Sequence, residues 1–132
     1  MIKRTAPLPI CPCGIKQPYA NCCAPYHHGT PAPTAEALMR SRYTAYVYRL
    51  EDHLLATWHP DTRPVQLELA HEPAPKWLGL EVRQSADLSE TTAIVEFIAR
   101  YKVGGKAERL HETSRFERID GCWYYLDGTL HS

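Results

Sequence analysis

Four of the chain's five cysteines fall within thirteen residues, as Cys11-Pro-Cys13-Gly-Ile-Lys-Gln-Pro-Tyr19-Ala-Asn-Cys22-Cys23. So short a segment has almost no apolar core of its own, so something other than side-chain burial must fold it. An odd cysteine total with this clustering is a poor disulfide framework; in a reducing compartment it reads as a metal site. Structural zinc takes four soft ligands in a tetrahedron, and Cys11, Cys13, Cys22 and Cys23 supply them with no position left open. A Cys-x-Cys pair reaches one ion only if the chain turns sharply, and Gly14 follows where that turn is needed. The expectation is one structural zinc per chain, contributing roughly 10–16 kcal/mol as in comparable zinc peptides. Four reduced, inert thiols are the plain alternative. The sequence leaves open whether His27 or His28 replaces one sulfur; an exposed linker is their simplest role.

The remaining length is enough for one domain with a real core. Residues 1–30 are assigned to the zinc module and its linker, and 31–132 to the main domain. Pro25, Gly29, Pro31 and Pro33 interrupt 24–33 and oppose regular structure there. Thr34 has the chemistry of an N-cap. Ala35, Leu38, Met39, Tyr43, Tyr46, Val47 and Leu50 recur at helical spacing, which predicts one helix over 35–50. A second short helix is expected in 51–58, stopped by Pro60, and a third in 64–72.

From Trp77 the period becomes two, with Leu78, Leu80 and Val82 on one face of a strand. Strands over 92–103, 106–119 and 122–128 are separated by Gly104-Gly105 and Asp120-Gly121, both two-residue hairpin signals. Helices first and strands after give an α+β fold, with N-terminal helices packed on a curved antiparallel sheet. The two turns also fix parity. Ala93, Val95, Phe97, Ala99, Tyr101, Leu110, Phe116, Trp123 and Tyr125 share one face, which is therefore the buried one. Three polar residues, Glu112, Ser114 and Asp127, fall on it too.

Buried carboxylates are costly unless partnered. In one reading Glu112 or Asp127 pairs with Arg40, Arg42 or His59 as a structural network. In the other, Arg42, Tyr43, Tyr46, Trp58, His59, Trp77, Phe97, Glu112, Ser114, Phe116, Trp123, Tyr125 and Asp127 line a ligand pocket beneath the helices. Glu112 and Asp127 are then the weak catalytic candidates, as general acid or base. Cys122 has no local base or cationic neighbour and reads as a small strand residue. The other sheet face, with Ile94, Ile98, Tyr124 and Leu126 among charged residues, is mixed, and a solvated face is its simplest role; relatives of such a fold often dimerise through this surface, which leaves monomer and homodimer both open.

With 15 basic and 15 acidic side chains the formal net charge is zero, so no global field draws the chain to nucleic acid. The first ten residues are basic but broken by Pro7 and Pro9, with no apolar region after them; together with the absence of a long apolar run this predicts a cytoplasmic protein that does not enter a membrane.

The cysteine pattern resembles the SEC-C motif, the zinc element at the C-terminus of bacterial preprotein translocase ATPases. Ile15 stands where that motif usually has Ser. Leu38–Tyr46 (Leu-Met-Arg-Ser-Arg-Tyr-Thr-Ala-Tyr), Thr57-Trp-His-Pro60, Trp77-Leu-Gly-Leu80, Glu112-Thr-Ser-Arg-Phe116 and Trp123-Tyr-Tyr-Leu-Asp-Gly128 resemble the bacterial YchJ family, over nearly the whole chain. The resemblance implies a domain similar to nuclear transport factor two, a cystatin-like cone with a curved sheet around a pocket. It implies by analogy a protein partner in translation or export, docked through the zinc element. Two functions follow as expectations. The first is a binding or adaptor module with a small-ligand pocket. The second is an acid–base hydrolase or isomerase using a pocket carboxylate.

Overall fold

The computed structural model describes residues 9–67, 69 and 74–131. A single 3-10 turn at Tyr19–Asn21 and a short helix α1 (Ala24–His27) follow the first cysteines. The segment after Cys23 is thus not all linker: the prolines permit one helical turn because Pro25 stands at its start, where no backbone donor is lost. Helix α2 (Ala35–Tyr48) begins as expected, with the Thr34 side chain accepting from the Ala37 amide at 3.0 Å. It ends because Arg49 takes a left-handed conformation at φ 59°, and the Leu50 amide closes back on the Ala45 carbonyl at 2.8 Å. Helix α3 (Glu51–Ala56) follows at once. The expected third helix is not formed over 64–67, and residue 69 lies in a turn; residue 68 and residues 70–72 lie outside the described residues.

Four strands, β1 (Lys76–Asp87), β2 (Thr92–Val103), β3 (Lys106–Ile119) and β4 (Cys122–Leu130), form one antiparallel sheet in sequence order. Both tight turns are where the sequence puts them. Val103 pairs with Lys106 and Ile119 with Cys122, with left-handed backbone at Gly104, Gly105, Asp120 and Gly121. The β2–β3 register is the expected one throughout, including Phe97 opposite Glu112 and Val95 opposite Ser114.

Strict alternation fails at three bulges. In β1 the pairing skips Leu78 and again Arg83, so Trp77 shares a face with Leu80 and Val82 while Leu78 turns outward. In β4 the pairing runs Phe116–Tyr125, then Arg115–Asp127, with Leu126 the extra residue. Every residue beyond Leu126 therefore changes face relative to its parity.

The core lies between α2 and the concave face of the sheet. Ala35, Leu38, Met39 and Tyr43 pack on Ala93, Val95, Phe97, Ala99, Phe116 and Trp123. The small side chains of β2 let the helix sit close. Leu110 and Tyr125 are only partly buried, while Arg100 and Arg115 are exposed on the other face. Among the described residues no helix is long and apolar enough to cross a membrane.

Candidate metal centre and cavity

The four N-terminal cysteines converge. Their sulfur atoms lie within 4.8 Å of one another, with Cys13 and Cys22 at 3.5 Å, and Cys11, Cys13 and Cys23 are buried. The segment folds around them through backbone pairing of Cys11 with Gln17 and of Tyr19 with Pro9. Gly14 makes the turn at φ 97°, pressed so close to β1 that a Cβ would stand 3.2 Å from the Leu80 carbonyl. Hydrogen bonding from Cys23, ahead of the opposing effect of burial, lowers the Cys13 thiol to about 5; burial raises Cys22 to about 12, and the bond to Cys13 raises Cys23. Four thiols at this spacing fit one metal ion.

Helix α2 supplies the next layer. The Thr44 hydroxyl, fully buried, lies 3.5 Å from the sulfurs of both Cys11 and Cys23. Arg40 donates to the Cys13 carbonyl at 2.6 Å and pairs with Glu36 at 3.0 Å. His27 is neither an exposed linker residue nor a member of the sulfur cluster. Its Nε2 donates to the Ser41 carbonyl at 2.8 Å, which leaves Nδ1 to accept from the Tyr19 hydroxyl at 2.7 Å. Burial lowers its pKa, so it stays neutral. Because the Ser41 hydroxyl donates to the Leu38 carbonyl, His53 Nε2 must be the donor in its 3.0 Å bond to Ser41 Oγ. Burial, and then the neighbouring His27 and Arg42, lower His53 to about 4.

On the other side of α2 a cavity of about 290 Å³ opens between helix and sheet. Arg42, Tyr43, Tyr46, Trp58, Trp77, Phe97, Glu112, Ser114, Phe116 and Tyr125 all line it, with Met39, Ala99 and Leu110. Trp77 arrives there only because of the β1 bulge. Arg42 is 6% exposed; it donates to the Leu54 carbonyl and the Thr57 hydroxyl at 2.8 and 2.7 Å, and lies over the rings of Tyr125 and Trp58. Burial brings it down to about 10, so it remains a cation at neutral pH. Glu112 Oε2 accepts from Ser114 at 2.6 Å and from the Tyr125 hydroxyl at 3.4 Å. Burial, and next the charge of Glu112, raise the Tyr125 phenol, so it too stays protonated. Gly128 faces the same carboxylate; a Cβ there would fall 2.0 Å from Glu112 Oε2.

Three residues expected in this cavity do not line it. Asp127 is turned to the outer face by the Leu126 bulge, where Arg115 grips it with two hydrogen bonds of 2.6 Å and lowers its pKa. His59 is buried behind β4, with Nε2 donating to Glu117 at 2.6 Å and Nδ1 accepting from the Asp61 amide. Trp123 does face inward, but towards a separate cleft lined also by His27, His53 and Cys122. The expected ion pairs of Glu112 or Asp127 with Arg40, Arg42 or His59 are likewise not formed: among the described residues Glu112 has no cation within 4 Å. What the sequence reading missed was the outer layer. Ser41 and Thr44 of α2 and His53 of α3 hold the module to the domain; the signal for the first two was polar side chains three residues apart on one side of a helix whose other side faces the core.

Comparison with known proteins agrees with this architecture. The family model described as YchJ, middle NTF2-like domain, matches residues 34–128. A UPF0225 protein of Chromobacterium violaceum is 58% identical over 125 residues, covering 91% of this chain and 92% of the relative. The solution structure of a SEC-C motif containing protein from Rhodopseudomonas palustris superposes with a TM-score of 0.83 at 33% identity, covering 94% of this chain and all of that one. The crystal structure of a SEC-C motif containing protein from Psychrobacter arcticus gives 0.77 at 34% identity, covering 93% and 83%.

Proposed function

The chain belongs to the YchJ family, and from that premise we propose that it is a zinc-stabilised cytoplasmic binding protein: the cysteine module docks a protein partner and the cavity takes a small ligand. The metal is zinc in this reading, because four thiolates leave no open position for chemistry and suit a structural ion. The observation that carries the ligand reading is the state of Glu112. Among the described residues its carboxylate sits in an aromatic cavity with hydrogen bonds but no ion pair, and Arg42, in the same wall, has hydrogen bonds but no carboxylate within 4 Å. Polar groups converging in an apolar concavity are the usual pattern of a ligand site. Trp58 adds a buried indole N–H with no partner among the described residues. The matching ligand has an apolar body, a donor for Glu112 and an acceptor for Arg42.

Partner docking draws support from apolar side chains left in solvent on the module, Ile10 at 58% and Ile15 at 43% exposure, with Tyr48 beside Tyr19. The SEC-C likeness suggests translation or export machinery as the partner; zero net charge argues against nucleic acid. An acid–base enzyme is the weaker reading, since Asp127 faces away and leaves Glu112 as the one carboxylate of the predicted pair in the cavity.

Capture from bacterial lysate tests both halves together, with mass spectrometry of retained proteins and small molecules. Native protein is expected to retain a protein that Cys23→Ser loses, and a small molecule that Glu112→Gln loses. Identical retention by all three would overturn the reading.

A further inference from the structure

The outer face of the sheet holds a second group of metal-ligating side chains, remote in sequence from the cysteines. Glu96 comes from β2, His111 from β3, and His131 from the residue just past β4. The three offer ligand atoms within 4.8 Å of one another. The spacing follows from register. Glu112 pairs with Leu130 and Thr113 with Thr129, so His131 continues the ladder opposite His111, and its amide donates to the His111 carbonyl at 2.8 Å. Side chains directly opposite each other on an antiparallel pair stand about 5 Å apart at Cβ, within the span of one metal ion. Ile98 pairs with His111, so Glu96 lies diagonally beside that histidine from the third strand.

The contacts made at present are those of a site held by protons. His111 Nε2 and Glu96 Oε2 are 2.7 Å apart; His131 Nε2 meets Thr113 Oγ1 at 2.7 Å; the two imidazoles stack with centroids 4.1 Å apart and planes 13° from parallel. A metal held tetrahedrally at about 2.1 Å from nitrogen and oxygen needs ligand atoms about 3.4 Å apart, so the 2.7 Å His111–Glu96 contact must open by about 0.7 Å. His131 is exposed, and turning its ring towards the same point exchanges its hydrogen bond to Thr113 for the metal.

We propose that Glu96, His111 and His131 form a second metal site, weaker than the cysteine cluster and selective for borderline divalent transition ions such as cobalt or zinc. Imidazole and carboxylate donors suit these ions over calcium or magnesium. Three protein ligands leave room for a further ligand from solution.

Cobalt(II) added to the full zinc-loaded chain tests this, followed by calorimetry and visible absorption. One equivalent is expected to bind in the micromolar range at pH 7.5, without the intense charge-transfer bands that cobalt gives on entering a thiolate cluster. His111→Gln and His131→Gln should each weaken it by about tenfold or more, the scale on which lost metal-site contacts act. Histidine side-chain resonances should shift or broaden at His111 and His131 and not at His28. Absence of an equivalent outside the cysteines, or undiminished binding in His111→Gln, overturns the proposal. So does cobalt binding that appears only with thiolate bands.

Discussion

The hydroxyl of Thr44 lies 3.5 Å from the sulfur of Cys23, across a junction 21 residues apart in sequence. Outer hydrogen bonds of this kind set how firmly a first-layer ligand is held. Thr44→Val keeps the volume and removes the donor. The fold should persist, and transfer of zinc to a chelator should be faster by roughly tenfold or more. An unchanged transfer rate would mean that the hydroxyl does not act on the site.

Metal analysis of protein purified without added metal should give about one zinc per chain. Cys11→Ser and Cys23→Ser should lose it and unfold the N-terminal module, whereas Cys122→Ser, on β4, should retain it. Zinc lost from the Cys122 variant alone would overturn the ligand assignment.

Glu112→Gln separates a site from a strut. Were the carboxylate the partner of buried Arg42, its removal would cost on the order of 3–5 kcal/mol. With no direct contact between them, only the longer-range support that Glu112 gives the Arg42 cation is lost, so thermal unfolding should change by clearly less than that, while ligand retention is lost. A large destabilisation would return the site to the structural reading.

Gly128→Ala tests what Gly128 makes room for. The three atoms nearest the new methyl would all belong to Glu112. Glu112 should swing away from Ser114, at a cost of about 1 kcal/mol for the hydrogen bond. In the Glu112→Ala background the same change should cost little, so a double-mutant cycle should show coupling of 0.5 kcal/mol or more. Additive effects would show that the two residues do not press on each other.

Acid should loosen the junction through His53. An unfolded histidine titrates near 6.5, and the folded one is lowered to about 4, so the native state binds fewer protons between those values. Stability is therefore full above about pH 6.5 and falls as the pH drops towards 4, by no more than about 1.4 kcal/mol per pH unit. His53→Gln keeps a donor for Ser41 and cannot titrate, so its stability should decline less between pH 7 and 5.5. Parallel curves for the two proteins would exclude His53 as the source.

Period and turn chemistry were enough to read α2, the four strands, the β2–β3 register and the inward face as far as Tyr125. They failed where the chain breaks its own period. Nothing in Trp-Leu-Gly-Leu or Tyr-Leu-Asp-Gly announces that Leu78 and Leu126 are extra residues, because a bulge is chosen by sheet curvature and by what packs beneath it. Trp77 reached the cavity and Asp127 left it for that reason alone. Arg42 was legible as a helix residue facing the core, but its partners were not. A guanidinium satisfied by the Leu54 carbonyl and Thr57 depends on where α3 stops, which local patterning does not specify.

Helix α2 presents Arg40, Ser41 and Thr44 to the cysteine segment and Met39, Arg42, Tyr43 and Tyr46 to the cavity. One rigid rod is thus the shared wall of two compartments. The N-terminal segment is not an interchangeable cassette strung before an independent domain. Loss of the cysteine cluster would therefore loosen the contacts that seat Arg40, Ser41 and Thr44, and with them the rod that roofs the cavity.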